Sequence, residues 1–139
     1  MSRNIILDKT YLKMSKVWSE LSYCNRRKVG AIIVKNGMII SDGFNGTPSK
    51  SKPNVCESED GTTLWWVLHG EANAILKCAK HGQSCDGATL YQTLSPCREC
   101  SKLILQAGIK RVVYIEDYND TSGIQLLIES GIIVDKISI

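Results

Sequence analysis

Two short polar segments, His69-Gly70-Glu71 and Pro96-Cys97-Arg98-Glu99-Cys100, each stand at the start of a stretch that reads as a helix. Between those helices lies one β-prone stretch, residues 88–93, with the sequence Ala-Thr-Leu-Tyr-Gln-Thr. This helix–strand–helix order constrains the fold more than any other feature. It continues to the end of the chain: residues 110–115 read as a strand, 122–130 as a helix stopped by Gly131, and 132–137 as a strand. Such alternation predicts parallel neighbouring strands in one sheet, with helices packed on its faces.

The first half is organised differently. Asp8 can cap a first helix, and Tyr11, Met14, Trp18 and Leu21 recur at helical spacing as its apolar face. Residues 29–34 form a continuous apolar run rich in β-branched side chains, the pattern of a buried strand. Asn36-Gly37 is a strong hairpin signal, and residues 38–44 return as the antiparallel partner. From 45 to 67 periodicity is lost, and a loop of that length in a compact domain is functional or mobile. The expectation is a single α/β domain over residues 1–139, with five strands, no internal repeat and no domain boundary.

The chemistry lies at the two helix starts. Cys97 and Cys100 are three apart, so in a first helical turn both sulfurs lie on one face and can share a metal. A helix N-terminus also favours thiolates. His69, at the other helix start, is the best third ligand. Three protein ligands leave one position open, which separates catalytic from structural zinc. Glu71 can reach the same pocket from the first turn of its helix and carry protons there. A redox pair or a structural zinc could also use Cys-x-x-Cys. The first lacks a thioredoxin-like context and the second lacks a well-placed fourth ligand, since His81 lies about three turns along the helix from His69.

Charge and cysteine usage limit the remaining classes. The net charge of +3 is too small to argue for nucleic-acid binding. The cluster Arg26-Arg27-Lys28 is either a solvated helix end or a local anion site. No apolar run approaches the roughly 20 residues of a membrane span. The N-terminal apolar run is too short for a signal peptide, which predicts a cytoplasmic protein. In that compartment the six cysteines are expected to be metal ligands or buried thiols rather than disulfides.

At these residues the chain resembles the cytidine deaminase-like superfamily, a zinc signature of the form His-x-Glu…Pro-Cys-x-x-Cys. Within it, the deoxycytidylate (dCMP) deaminase branch is the most similar. The resemblance is carried by Lys28-Val29-Gly30-Ala31-Ile32-Ile33-Val34, Ser41-Asp42-Gly43-Phe44-Asn45-Gly46-Thr47-Pro48, His69-Gly70-Glu71-Ala72-Asn73-Ala74-Ile75 and Thr93-Leu94-Ser95-Pro96-Cys97-Arg98-Glu99-Cys100. It implies a three-layer α/β/α fold around a five-stranded mixed sheet, and a hydrolase that turns dCMP into dUMP and ammonia, supplying dUMP for thymidylate synthesis. It implies one catalytic zinc on His69, Cys97 and Cys100, with Glu71 moving protons. It further implies that the Gly70 N–H and the Ser95 carbonyl hold the base and that the Asn45 side chain binds the sugar 3′-hydroxyl. A homo-oligomer, a hexamer in relatives, and dCTP and dTTP as effectors are also implied. Gly70 departs from the family's usual alanine but keeps the N–H donor. Cys24 and Cys56 lie near positions where some relatives hold a second zinc, but the short intervening segment and the lack of a spare histidine beyond His81 argue for two buried thiols instead.

A nucleotide phosphate needs cations or N–H donors. Arg26 is the first candidate and Arg27 the second, because a guanidinium binds two phosphate oxygens at once. Thr47, in the turn after Asn45, adds a hydroxyl. Tyr118 follows the fourth strand, at a sheet end that borders binding sites. Trp65, Trp66 and Tyr91 are candidates for walls around the base, with core packing the expected role of at least one tryptophan. Two other readings stand beside this one. A deaminase acting on tRNA would share the zinc motif but should be more basic. A silent zinc-stabilised nucleotide-binding module would have no need of Glu71.

Overall fold

The structure is a computed structural model, and it describes residues 2–50 and 53–139. Ser51 and Lys52, in the segment read as a loop, lie outside the described residues, as does Met1. The chain forms α1 (Arg3–Ser19), β1 (Gly30–Lys35), β2 (Met38–Phe44), α2 (Gly70–Lys80), β3 (Thr89–Leu94), α3 (Arg98–Gln106), β4 (Arg111–Glu116), α4 (Ser122–Glu129) and β5 (Ile133–Lys136). The strands make one five-stranded sheet in the order β2-β1-β3-β4-β5. β3, β4 and β5 are parallel, as the alternation predicts, while β1 runs antiparallel to both β2 and β3.

The central strands β1, β3 and β4 are buried on both faces, which is why β1 and β4 read as nearly continuous apolar runs, while the edge strands β2 and β5 are partly exposed. One face, with Ala31, Ile33, Leu90 and Val112, packs on Ala74 and Cys78 of α2, Ile104 of α3 and Leu127 of α4. The other, with Ile32, Val34, Tyr91 and Val113, packs on Leu12 of α1. The β1–β2 turn is Asn36-Gly37, both with positive φ, the conformation that a two-residue hairpin requires.

The first helix departs from expectation. It begins at Arg3, capped by the Ser2 hydroxyl, which accepts from the Ile5 N–H at 3.3 Å. Asp8 is therefore not a cap. It is buried inside the helix and holds Arg111 through two hydrogen bonds of 2.8 and 2.9 Å and Tyr91 at 2.6 Å. The buried face is Asp8, Leu12, Ser15 and Ser19, while Met14 and Leu21 are exposed. The physical reason lies in β1. A Cβ on Gly30 would stand 2.0 Å from the Ser15 carbonyl oxygen, so strand and helix meet backbone to backbone, where only small side chains fit. The serine hydroxyls donate to Leu12 and Lys16 carbonyls of their own helix and so can be buried.

Candidate active site

The ends of β2 and β3 deliver the chain to one rim of the sheet, where α2 and α3 begin. His69 and Cys97 are the N-caps of these helices, and both have extended backbone. Neither side chain caps its own helix, so both are available for other partners. The first turn of α2 is fixed against β2. A Cβ on Gly43 would lie 2.4 Å from the Gly70 carbonyl oxygen, so again only glycine permits the approach. Ser41 donates to the Ala74 carbonyl at 2.7 Å, and the Asn73 amide donates to the Phe44 carbonyl at 2.8 Å.

His69 Nδ1 lies 3.4 Å from Cys97 Sγ and 3.3 Å from Cys100 Sγ. All three donor atoms are within 4.8 Å of one another. Donors held about 2.0–2.3 Å from a tetrahedral ion stand roughly 3.5 Å apart, so the triad fits a zinc. Before metal binds, the two thiols share their protons unequally. A hydrogen bond from Cys100, with a further contribution from His69, holds Cys97 down to about 4. The Cys97 sulfur and burial push Cys100 up.

Glu71 is 3 % exposed and lines the cleft beside His69. Burial raises its pKa above the ordinary carboxylate range, against the pull of its own backbone N–H, His69 and Gln92. A carboxylate so displaced is suited to taking and returning protons near neutral pH.

The cleft is about 370 Å³ and brings most of the predicted residues together. Arg26, Arg27, Asn45, His69, Gly70, Glu71, Ser95, Cys97 and Tyr118 all line it. Thr47 is not among the lining residues; its hydroxyl donates to Asn54 at 3.3 Å. Asn45 is a clamp in this state: its Oδ1 accepts from the Val29 N–H at 2.8 Å and its Nδ2 donates to the Arg27 carbonyl at 2.7 Å. Arg27 pairs with Glu116 at 2.7 Å, whereas the Arg26 guanidinium makes no ion pair among the described residues and donates to the Thr63 hydroxyl at 3.5 Å. Tyr91 is not a wall of the cleft. It faces α1 on the opposite side of the sheet, because successive strand residues alternate between faces. Trp65 is 87 % exposed, and neither tryptophan lines the cleft.

The rim also holds residues that the sequence reading missed. Glu57 accepts from the backbone N–H groups of Asn25 and Arg26, each at 3.2 Å, and so orders the arginine segment. Beside it, Cys24 and Cys56 form a disulfide rather than the two thiols expected. The expectation rested on compartment, while the pairing depends on the 45–67 segment folding back over the end of α1, which no local pattern reveals. Val29, Thr63, Val67, Leu94 and Asn119 complete the lining. A glutamine on the same strand face as Leu90 and Leu94 is the one available signal for Gln92.

A three-layer α/β/α domain with a three-ligand metal centre and a buried carboxylate defines a class of metal-dependent hydrolytic domains. Residues 6–116 match the family described as "Cytidine and deoxycytidylate deaminase zinc-binding region". The chain belongs to that family. The deoxycytidylate deaminase of Enterobacteria phage T2 is 37 % identical, over 79 % of this chain and 80 % of that protein. That of Mycobacterium phage D29 is 38 % identical, over 77 % of this chain and 92 % of that protein. The crystal structure of dCMP deaminase from the cyanophage S-TIM5, in complex with dCMP and dUMP, superposes with a TM-score of 0.92 at 47 % identity, covering 99 % of both chains.

Proposed function

We propose that this chain is a dCMP deaminase, replacing the 4-amino group of dCMP with oxygen from water to give dUMP and ammonia. One observation carries the reading: His69 and Cys97 of the metal-ligand triad, a buried carboxylate and two arginines line a single cleft of about 370 Å³, with Cys100 buried directly beside His69 and Cys97. The likeness to the S-TIM5 enzyme over 99 % of both chains supports it.

His69, Cys97 and Cys100 would hold one zinc per chain, and zinc there supplies the Lewis acidity that lets water attack at neutral pH. Glu71 takes one proton from the attacking water and delivers it to ring N3; it then takes the second, from the new C4 hydroxyl, and gives it to the amine, so that ammonia leaves as the C4 carbonyl forms. The Gly70 N–H, at the positive end of α2, holds the 2-oxo group. The Ser95 carbonyl accepts from the 4-amino group, which directs that group towards Glu71. Asn45 binds the 3′-hydroxyl with the lone pair and N–H not used on its backbone partners. Arg26 binds the phosphate, Arg27 assists it, and Tyr118 closes the side of the cleft.

The deaminase domain spans residues 1–139, as the one sheet shared by both halves supports. Self-association is supported by Ile6, Met14, Val17 and Leu21, exposed along α1 and just beyond it. A hexamer with dCTP and dTTP as effectors is the assembly we infer, and sedimentation with and without dCTP tests it. No helix among the described residues is long and apolar enough to cross a membrane. A cytoplasmic location is inferred from the nucleotide substrate; the Cys24–Cys56 disulfide runs against a reducing compartment, while Cys78 and Cys85 are free thiols.

The functional test is ammonia release by zinc-loaded protein from dCMP, dCTP, deoxycytidine and tRNA in parallel. Release from dCMP far in excess of that from dCTP, deoxycytidine or tRNA supports the proposal. Release from tRNA, or from none of the four, would refute it.

A further inference from the structure

Gln92 lies in the middle of β3 and is 0 % exposed. Its neighbours on the same face of the strand, Leu90 and Leu94, are apolar. A buried amide in such a layer costs free energy unless its polar atoms find partners. Gln92 spends both of its N–H bonds on the site. Nε2 donates to Glu71 Oε2 at 3.0 Å and to the Leu94 carbonyl. A carbonyl only accepts, as does an ionised carboxylate, so these partners fix the amide with its nitrogen towards them. Its Oε1 is buried and has no hydrogen-bond partner among the described residues. A side chain that orphans an acceptor is a poor choice for stability, because an apolar group of the same size avoids that cost. Its fit is to Glu71 and the end of β3, and not to the core.

We propose that Gln92 is a positioning residue for the deamination: its amide clamps one oxygen of the Glu71 carboxylate so that the other is presented to the base. Through the Leu94 carbonyl, the same amide fixes the strand end that carries Ser95. One side chain thus sets the distance between the proton carrier on α2 and the carbonyl that receives the amino group. Metal ligands and phosphate contacts do not pass through it, so its loss should leave binding intact and slow the chemistry. This rests on the role given to Glu71 in the proposed function.

The test is Gln92→Met, which keeps length and volume and removes both donors. The expected result is a kcat for dCMP lowered about 10–100-fold, the range for loss of an outer-shell partner, with KM and zinc content unchanged. A kcat equal to that of the unaltered protein, or a loss carried by KM or by zinc content, would overturn it. A second measurement needs no change at Gln92. In a nitrogen–proton spectrum, the Gln92 side-chain N–H signals should shift when Glu71→Ala removes their acceptor; no shift would overturn the clamp. If the unaltered protein releases no ammonia from dCMP, the functional reading fails, and the spectrum still decides whether the clamp exists.

Discussion

At the scale of single residues, the proposed roles separate chemistry from substrate recognition. Glu71→Gln keeps the shape but cannot take a proton. It should lower kcat about 10²–10⁴-fold, as loss of a general acid–base group does, while zinc content by metal analysis stays unchanged. Arg26→Ala should raise KM for dCMP about 10–100-fold, as expected for a charged hydrogen bond, and leave turnover of deoxycytidine unaffected. Equal losses on both substrates would contradict that assignment. The meeting of His69, Cys97 and Cys100, with Glu71 beside them, was legible because metal chemistry allows few residue types and the helix starts fixed their spacing. Gln92 was not, because a buried amide is defined by partners 21 residues away at Glu71. Tyr91 was misplaced because a polar tip beside a binding motif suggests the cleft, whereas strand alternation sends it to α1.

At the scale of elements, two tethers hold the scaffold. Asp8 joins α1 to β3 and β4 through Tyr91 and Arg111, and Arg111 reaches β5 through Asp135 at 2.9 Å. Burial pushes the Asp8 carboxyl up, but hydrogen bonds from Arg111 and Tyr91 and the charge of Arg111 outweigh it and hold the group below the ordinary range. Because the folded pKa lies below the unfolded one, the stabilisation is complete above about pH 4 and is lost as pH falls through the folded value. Asp8→Asn should therefore cost about 1.5–3 kcal/mol at pH 7, the worth of a charged hydrogen bond, and flatten the acid limb in urea unfolding. An unchanged acid limb would place the titration elsewhere. The second tether, Cys24–Cys56, spans 32 residues and ties the arginine segment to the rim loop. Reduction should lower unfolding stability by about 3–4 kcal/mol in the chain-entropy account, measured by denaturant titration with and without a dithiol. The order of strands and helices was legible from periodicity and turn residues alone. The start and buried face of α1 were not, since both depend on Gly30 approaching from another element.

At the scale of the whole molecule, one mixed sheet brings two distant helix starts to the same rim. The parallel β3–β4–β5 unit carries the cysteines, and the antiparallel β1–β2 pair carries Asn45 and leads to His69. Strand alternation disclosed the first unit. The antiparallel meeting of β1 with β3, which joins the halves, is a long-range pairing that no local signal encodes. The rim loop from 45 to 67 was legible only as a gap in periodicity, although it supplies Glu57, Thr63 and Val67 to the cleft. The central claim is that this joined site hydrolyses the amidine carbon–nitrogen bond of dCMP. Its most direct test is turnover of dCMP by zinc-loaded protein in water enriched in heavy oxygen, followed by mass spectrometry of the product. The account predicts dUMP carrying the heavy oxygen at C4, with one ammonia released for each dUMP formed. Unaltered dCMP, or product without the label, would contradict it.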